Sequence, residues 1–214
     1  MTESGIGACQ TPMSSDSSTP NEQSDREKFL GIFTQYIKRE GADKLLAWLE
    51  KSDFFAAPAS TIYHLSCEGG LCKHSLHVYE RLRRLYQGEY GELTAEQEET
   101  VALTALLHDL CKVNFYKPGV RNVKDEHGKW QQVPSYSIED ECPFGHGEKS
   151  VYIIQAFMRL TREEAMMVRW HMGGFDEAAR GGSRALTQAM EKYPGVALIH
   201  TADMLASYLD EVRG

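Results

Sequence analysis

The chain has 214 residues, 42% of them hydrophobic, which is enough to bury one substantial core and fits one domain better than two. Its formal net charge is -8 at pH 7 and its isoelectric point is near 5.5. Because like charges repel over a Debye length, this balance opposes non-specific binding to nucleic acid or to an anionic membrane surface. Any contact with phosphate must be local, and long nucleic acid is not an expected partner.

The cysteine content and the hydropathy pattern both favour the cytoplasm. Five cysteines are an odd number, and no two of them have Cys-x-x-Cys spacing. No apolar run approaches the roughly 18 residues of a membrane span, and the N-terminal segment lacks the basic start and apolar stretch of a secretion signal. We therefore expect a cytoplasmic protein that does not associate with a membrane.

Residues 1–25 form a segment that is rich in Ser, Thr and Pro and nearly free of large apolar side chains. Such a segment cannot bury enough apolar surface to offset the entropy lost on ordering. We predict a disordered tail over 1–25 and a single folded domain over 26–214.

Helical periodicity dominates from Arg26 onward. Apolar stripes over 29–37 and 45–49 predict two short helices, and Gly69-Gly70 permits a tight turn directly before a helix over 71–87. Capping-box spacing starts further helices after Thr94 and Thr161. The helices in the C-terminal part are predicted over 148–159, 162–172, 183–193 and 195–212, with Pro194 between the last two.

The periodicity changes between Val120 and Ile138. Residues 120–124 and 130–133 read as short strands on either side of a turn over 125–129 that contains a glycine. The predicted fold is therefore mainly α, a helical bundle with a small β-hairpin insertion.

The adjacent pair His108-Asp109 ends an apolar predicted helix. A carboxylate that is buried without a partner is costly, and a metal cation is one of the few partners strong enough to compensate it. Four further candidate ligands are polar residues inside or at the end of apolar or glycine-framed segments. They are His74, His146, His171 and Asp203.

Neutral imidazoles combined with carboxylates suit a divalent transition metal (Mn, Fe, Co, Ni or Zn) better than Mg or Ca. One ion would take its protein ligands from His74, from the His108-Asp109 pair and from Asp203. If His146 and His171 also point inward, a second ion can bind, with the carboxylate of Asp109 as the bridge. We favour two ions, and one ion remains the alternative.

Such a site lowers the pKa of a bound water and holds a phosphorus centre, so hydrolysis of a phosphate ester is the expected reaction. Lys112 follows Asp109 by three positions and shares its face if the helix continues. Its ammonium group would stabilise negative charge on the phosphoryl oxygens. Asp109 and Lys112 are therefore the expected catalytic residues.

The order His, His-Asp, His, His, Asp resembles that of the HD-domain metal-dependent phosphohydrolase superfamily, over about residues 53–210. The resemblance implies an HD-domain helical bundle, bound divalent metal and phosphohydrolase chemistry. It also implies that His146 and His171 are ligands and that Lys112 matches the lysine of the HD-x-x-K pattern. The Gly-Gly-Leu-x-x-His segment resembles the first-ligand segment of some HD domains, which supports His74, and related domains can carry a pocket histidine at the position of His64.

Several cationic and aromatic side chains are candidates for substrate binding. The cations that would add positive charge near the metal are Lys117, Arg121, Lys149 and Arg169. Tyr116, Trp170 and Phe175 are candidates for stacking on a base. We expect a small phosphorylated substrate, a nucleotide or a short oligonucleotide, and the oligomeric state stays open.

Two alternative functions compete with this prediction. The Gly-Gly-Leu segment after a Pro-Ala-Ser turn is similar to that of bacterial HD-type 3′-to-5′ exoribonucleases, which makes a single-strand 3′-to-5′ exonuclease one alternative. Those proteins add an OB-type module for which this chain has no room. By motif order, the chain is more similar to small stand-alone HD-domain hydrolases of bacteria and phages. The other alternative is a non-catalytic regulator that binds metal or nucleotide.

Overall fold

The structure, a computed structural model, describes residues 23–211, so the tail predicted over 1–25 lies almost entirely outside the described residues. Its helices are α1 (Asp25–Tyr36), α2 (Ala42–Lys51), α3 (Gly70–Tyr90), α4 (Ala95–Leu107), α5 (His146–Gln155), α6 (Arg162–Trp170), α7 (Glu177–Arg180), α8 (Ala185–Lys192) and α9 (Gly195–Leu205). Strands β1 (Tyr116–Lys124) and β2 (Trp130–Ile138) form a hairpin. The prediction of a mainly helical fold with one β-hairpin is confirmed. Among these helices, none is long and apolar enough to span a membrane.

The folded part starts slightly earlier than predicted. Ser24 caps α1 through a reciprocal capping box with Glu27, and Asp25 is already helical. The side-chain oxygen of Ser24 accepts from a backbone amide that the helix itself leaves unpaired, which explains why the helix begins there. The end of the predicted tail thus belongs to the first helix.

Helix α3 is the central element of the bundle and packs against α1, α4 and α9. On the other side, α6 packs against both α5 and α9. The buried apolar side chains of these helices make one continuous core, and α4 is buried over its whole C-terminal half. This arrangement makes the end of α4 a rigid floor inside the molecule.

The hairpin is longer than predicted. Its antiparallel register pairs Tyr116 with Ile138 at one end and Lys124 with Trp130 at the other. Pro residues in both strands weaken the strand signal in the sequence, but a two-stranded sheet tolerates them because each strand has an unpaired outer edge. The added length starts the hairpin at Tyr116, shortly after the residues that follow α4.

The last helix is shorter than the prediction over 195–212. Helix α9 ends at Leu205, and the chain continues as a wider π-helical turn over Ala206–Asp210. Such turns are frequent at functional sites. Here the turn is followed by Glu211, which is buried.

Candidate metal centre

His108 and Asp109 are both buried where α4 ends. After Asp109 the chain makes a 3-10 turn over Leu110–Lys112, so the helix does not continue as the prediction for Lys112 assumed. The turn nevertheless brings the ammonium group of Lys112 to 2.6 Å from Asp109 Oδ2. Lys112 and Asp109 are therefore in contact at the floor of the site, but through a 3-10 turn instead of a continued α-helix.

Asp109 lies at the centre of the predicted ligand set. Its Oδ1 atom is 2.8 Å from His146 Nε2 and 3.5 Å from His171 Nε2. Its Oδ2 atom is 3.4 Å from His108 Nε2 and 3.7 Å from His74 Nε2. Each oxygen of this carboxylate thus faces a different pair of imidazoles.

The sixth predicted ligand, Asp203, enters from α9. Its Oδ1 atom is 3.3 Å from His74 Nε2. The simplest structural alternative for a carboxylate in an apolar helix is an ion pair with an arginine, but its neighbours are His74 and Ser207, the latter at 3.5 Å. The structure therefore brings all six predicted ligands to one place.

In three of these histidines, the ring nitrogen that faces away from the site, Nδ1, donates a hydrogen bond to a nearby acceptor. His108 Nδ1 and His171 Nδ1 each donate to a backbone carbonyl of the preceding helical turn, both at 2.7 Å. His74 Nδ1 donates to the carboxylate of Glu211 at 3.0 Å. These contacts place the proton on Nδ1, so the Nε2 lone pairs point into the site, as in histidines that bind metal.

Some of the inward nitrogens are poorly satisfied by the neighbouring side chains. His74 Nε2 and His108 Nε2 are 3.2 Å apart, so in two neutral imidazoles with the proton on Nδ1 their lone pairs would repel each other, and a proton or a metal cation would relieve that repulsion. His171 Nε2 is buried and has no hydrogen-bond partner among the described residues. The donor set therefore fits a divalent transition metal.

The pKa of His74 also indicates that the surroundings of this side chain stabilise a positive charge. Burial lowers this pKa, but hydrogen bonds to Asp203 and Glu211 outweigh burial and raise it to about 10. Since metal binding displaces protons from such ligands, the carboxylates that favour a protonated imidazole also favour a bound cation.

His146 is in the same situation on the other side of the site. Burial opposes a charge on its ring, yet Cys111 and Asp109 raise its pKa to about 10. Two of the predicted ligands thus lie where the surrounding side chains stabilise positive charge.

The turn before α3 depends on a glycine pair. Gly69 has φ +75, and a Cβ on Gly70 would lie 2.1 Å from the carbonyl oxygen of Leu65. Only glycine fits this close approach of two backbones. The pair starts α3 so that His74, in its second turn, faces the site.

A cavity of about 1110 Å³ opens above the site. It is lined by His64, Lys112, Tyr116 and Arg121, together with apolar and aromatic side chains. Burial and the charge of His74 lower the pKa of His64 to about 4, so this imidazole is neutral at pH 7. Of the predicted substrate-binding residues, His64 and Arg121 therefore lie on the cavity.

The two predicted substrate-binding lysines do not line the cavity, which corrects their expected placement. Lys117 lies 3.8 Å from Glu139 at the surface. Lys149 is buried against Asp140, and their charged groups are 2.6 Å apart. Each of these ammonium groups is compensated by a carboxylate away from the cavity.

Arg169 is also placed differently from the prediction. It pairs with Asp176 at 2.7 Å, and its guanidinium group lies over the ring of Trp170. Trp170 itself is buried in the core, so it is not a stacking surface for a base. Of the aromatic candidates, Tyr116 and Phe175 line the cavity.

Sequence reasoning missed Glu211. Its carboxylate is buried and accepts from His77 Nδ1 at 2.9 Å in addition to His74. Its position eight residues after Asp203 was a weak signal, because it lies beyond the end of the regular helix.

Cys111 was missed as well. Its Sγ atom is 3.4 Å from His146 Nδ1, and its place directly after the His-Asp pair was the available signal. His200 Nδ1 donates to the backbone carbonyl of His171 at 2.8 Å.

These features define a class of protein. It is a helical domain in which imidazoles and carboxylates from distant segments converge, next to a lysine, on one site that favours a bound cation. The sequence profile of the HD domain matches residues 71–208, and the chain belongs to the HD-domain metal-dependent phosphohydrolase superfamily. Members of this family are generally metal-dependent hydrolases. No curated protein and no solved structure matches the chain.

Proposed function

We propose that this protein is a metal-dependent phosphohydrolase that cleaves a phosphomonoester or phosphodiester of a nucleotide or short oligonucleotide. The observation that carries the proposal is the position of Asp109, whose two oxygens face different histidine pairs while Lys112 lies beside it. A carboxylate in this position is suited to bridge two metal ions.

The proposed ligands are the six converging side chains. They are His74, His108, Asp109, His146, His171 and Asp203. We propose one or two divalent transition ions (Mn, Fe, Co, Ni or Zn), with two favoured by the divided contacts of Asp109. When bound, such ions act as Lewis acids and lower the pKa of water toward neutrality.

Lys112 has the role of stabilising phosphoryl charge. Its side chain is 13% exposed and lies on the cavity, so it can reach a bound phosphate while still touching Asp109. Although burial lowers the pKa of Lys112, the charge of Asp109 raises it above its ordinary value, so the cation persists at any pH of interest. A fixed positive charge in a partly dry site stabilises the transition state more than it would in water.

Tyr116 lies on the cavity close enough to Lys112 to interact with its charge. Burial raises the pKa of this phenol to about 12, so its hydroxyl remains protonated and can donate a hydrogen bond to a phosphate oxygen. Leu106, Leu107 and Leu110, which flank the His108-Asp109 pair in the chain, are fully buried. The chain thus supplies ligands, a cation and a hydrogen-bond donor in a fixed arrangement.

The test combines metal analysis with turnover. Protein purified without chelator should contain at least one transition ion per chain and release phosphate or cleave a diester in a panel of nucleotides and dinucleotides with Mn²⁺. The Asp109→Asn variant should lose both metal and turnover, because it removes the central ligand. Asp43→Asn, at an exposed carboxylate of α2, is the matched control and should keep both.

The alternatives make different predictions in the same experiment. A single-strand 3′-to-5′ exonuclease should prefer longer oligomers and lose activity steeply with added salt, because it binds many phosphates. Within residues 23–211, only Lys112 and Arg121 supply lysine or arginine charge to the cavity, which favours a small substrate. A non-catalytic regulator should bind nucleotide tightly without turnover, and that result would contradict the proposed function.

A further inference from the structure

The β-hairpin forms one wall of the cavity above the metal centre. Tyr116 and Arg121 from β1 and Ile138 from β2 all line it. The register places Tyr116 and Ile138 opposite each other at the base of the hairpin, with Arg121 farther out. A hairpin that is otherwise largely exposed is thus joined to the site through these side chains.

Arg121 differs from the other cations of its strand. Lys117 is near Glu139, and Lys124 lies over the ring of Trp130 at 5.2 Å. The guanidinium group of Arg121 makes no ion pair and no hydrogen bond with any residue of the described range 23–211. A partly buried arginine without a counter-charge, on the wall of a cavity, is suited to bind an anionic ligand in two-point geometry.

Arg121 lies farther along β1 than the residue that is beside Lys112. Five residue steps of extended strand lie between the Cα atoms of Tyr116 and Arg121, a distance of about 16 Å. Tyr116 is the residue of β1 that interacts with Lys112 at the floor. Because Arg121 is attached to the strand about 16 Å from the residue beside Lys112, its guanidinium group is better matched to a second phosphate, one nucleoside unit away, than to a phosphate at the floor.

Three residues that line the cavity carry exposed aromatic rings. Tyr63 is 70% exposed, Phe175 is 54% exposed and Tyr208 is 62% exposed. Exposed rings around a polar site provide faces on which nucleobases stack. The volume of about 1110 Å³ is slightly above the usual range for a small-molecule pocket and exceeds what a single phosphate needs.

We propose that Arg121 binds a second phosphate group of the substrate, one nucleoside unit away from the phosphate that is cleaved. This inference rests on the proposed function and narrows it to short oligonucleotides of at least two nucleotides. Hydrolysis then consumes one water, breaks the bond between phosphorus and the 3′ oxygen, and leaves a 3′-hydroxyl on one product and a 5′-phosphate on the other. The proton of the attacking water ends on the 3′ oxygen.

The experiment deletes each partner of the proposed contact in turn. The full chain loaded with Mn²⁺ is assayed on a thymidine dinucleotide with and without a 5′-phosphate. In the wild type, we expect kcat/KM to be about 10- to 100-fold higher for the phosphorylated form, mainly through KM. In Arg121→Ala this ratio should fall to near one, and in Lys117→Ala, the matched cation of the same strand, it should keep the wild-type value.

Two further measurements separate this inference from the proposed function. Hydrolysis of bis(4-nitrophenyl) phosphate, which has one phosphate only, reports on the metal centre alone. If that ester is cleaved but the ratio is the same in wild type and Arg121→Ala, the role of Arg121 is refuted while the hydrolase remains. Calorimetric binding of both dinucleotides to the metal-free protein gives a readout without turnover, and equal dissociation constants for them in the wild type would also overturn the inference.

Discussion

Glu211 Oε1 lies 3.0 Å from His74 Nδ1, although 137 residues separate the two along the chain. Both side chains are buried, and burial of the carboxylate is compensated by hydrogen bonds from His74 and His77, which lower its pKa. The contact fixes the tautomer of His74 so that Nε2 faces the site. It also connects the end of the last helical segment to His74, the first of the proposed ligands in the chain.

Replacing Glu211 should therefore weaken metal binding. Glu211→Ala should lower the affinity for Mn²⁺ or Zn²⁺ by about 10- to 100-fold, because His74 loses the partner that orients it. Glu211→Gln keeps an acceptor oxygen and should lose less. Calorimetric titration of chelator-treated protein measures both. Asp210→Asn, which removes the neighbouring carboxylate that pairs with Arg81, is the control, and an equal loss there would refute a specific role for Glu211.

Lys112 is expected to act on turnover rather than on metal content. Lys112→Ala should lower kcat by about 100-fold, since it removes a fixed charge near the phosphoryl group. Elemental analysis should find the wild-type metal content. Lys117→Ala is the control and should change neither quantity, because Lys117 lies near Glu139 outside the cavity. Loss of metal from Lys112→Ala would instead indicate that the lysine supports Asp109 structurally.

The contact between α5 and α6 leaves no space for a side chain at Gly147. A Cβ there would lie 2.1 Å from the carbonyl oxygen of Arg169, so Gly147→Ala must push the two helices apart. We expect a loss of about 1 to 3 kcal/mol in the free energy of unfolding and weaker metal binding, because His146 and His171 lie next to this contact.

The matched control for that variant is Gly88→Ala in α3. A Cβ at Gly88 would meet nothing within 4 Å, so alanine should stabilise the protein by about 0.5 to 1 kcal/mol through its better helix propensity. Urea unfolding measures both variants. Equal effects of the two substitutions would show that space at Gly147 is not the cause.

Acid stability should depend on Glu164, which pairs with Arg39 rather than with the proposed metal ligands. Burial raises its pKa, but hydrogen bonds from Arg39 and from the backbone of Thr161 outweigh burial and hold it below the ordinary value of 4.5. A carboxylate with a lowered pKa stabilises the folded state above its unfolded pKa, and this contribution is lost as pH falls through the folded value.

The free energy of unfolding should therefore fall below about pH 5 less steeply in Glu164→Gln than in the wild type. At pH 7 the variant should be less stable by about 2 kcal/mol, because the guanidinium group of Arg39 loses the charged partner of its contacts at 2.7 and 2.8 Å. Glu96→Gln, at an exposed position of α4, is the control. An unchanged acid slope in Glu164→Gln would contradict the assignment.

Much of the local structure was predictable because its causes lie within a few residues. The capping boxes at Thr94 and Thr161 start α4 and α6 as the spacing indicates, since the side chain and the amide that it caps are three positions apart. The length of the hairpin was underestimated because Pro118 and Pro134 weaken the strand signal. A strand tolerates proline only at an unpaired edge, and whether an edge is unpaired is a property of the sheet. The end of α9 was overestimated because a π-helical turn leaves no local signal.

The sequence by itself determined the helical class and the buried His108-Asp109 pair, because apolar periodicity and a carboxylate in an apolar segment carry their physical meaning locally. The family followed from a resemblance in the order of the motifs along the chain. Only the tertiary structure decided which cations reach the cavity. Arg121 lies on it, whereas Lys149 and Arg169 are neutralised by carboxylates elsewhere. Whether a cationic side chain is paired with a carboxylate or lies on the cavity depends on which distant segment packs beside it, and the packing of the helices determines this.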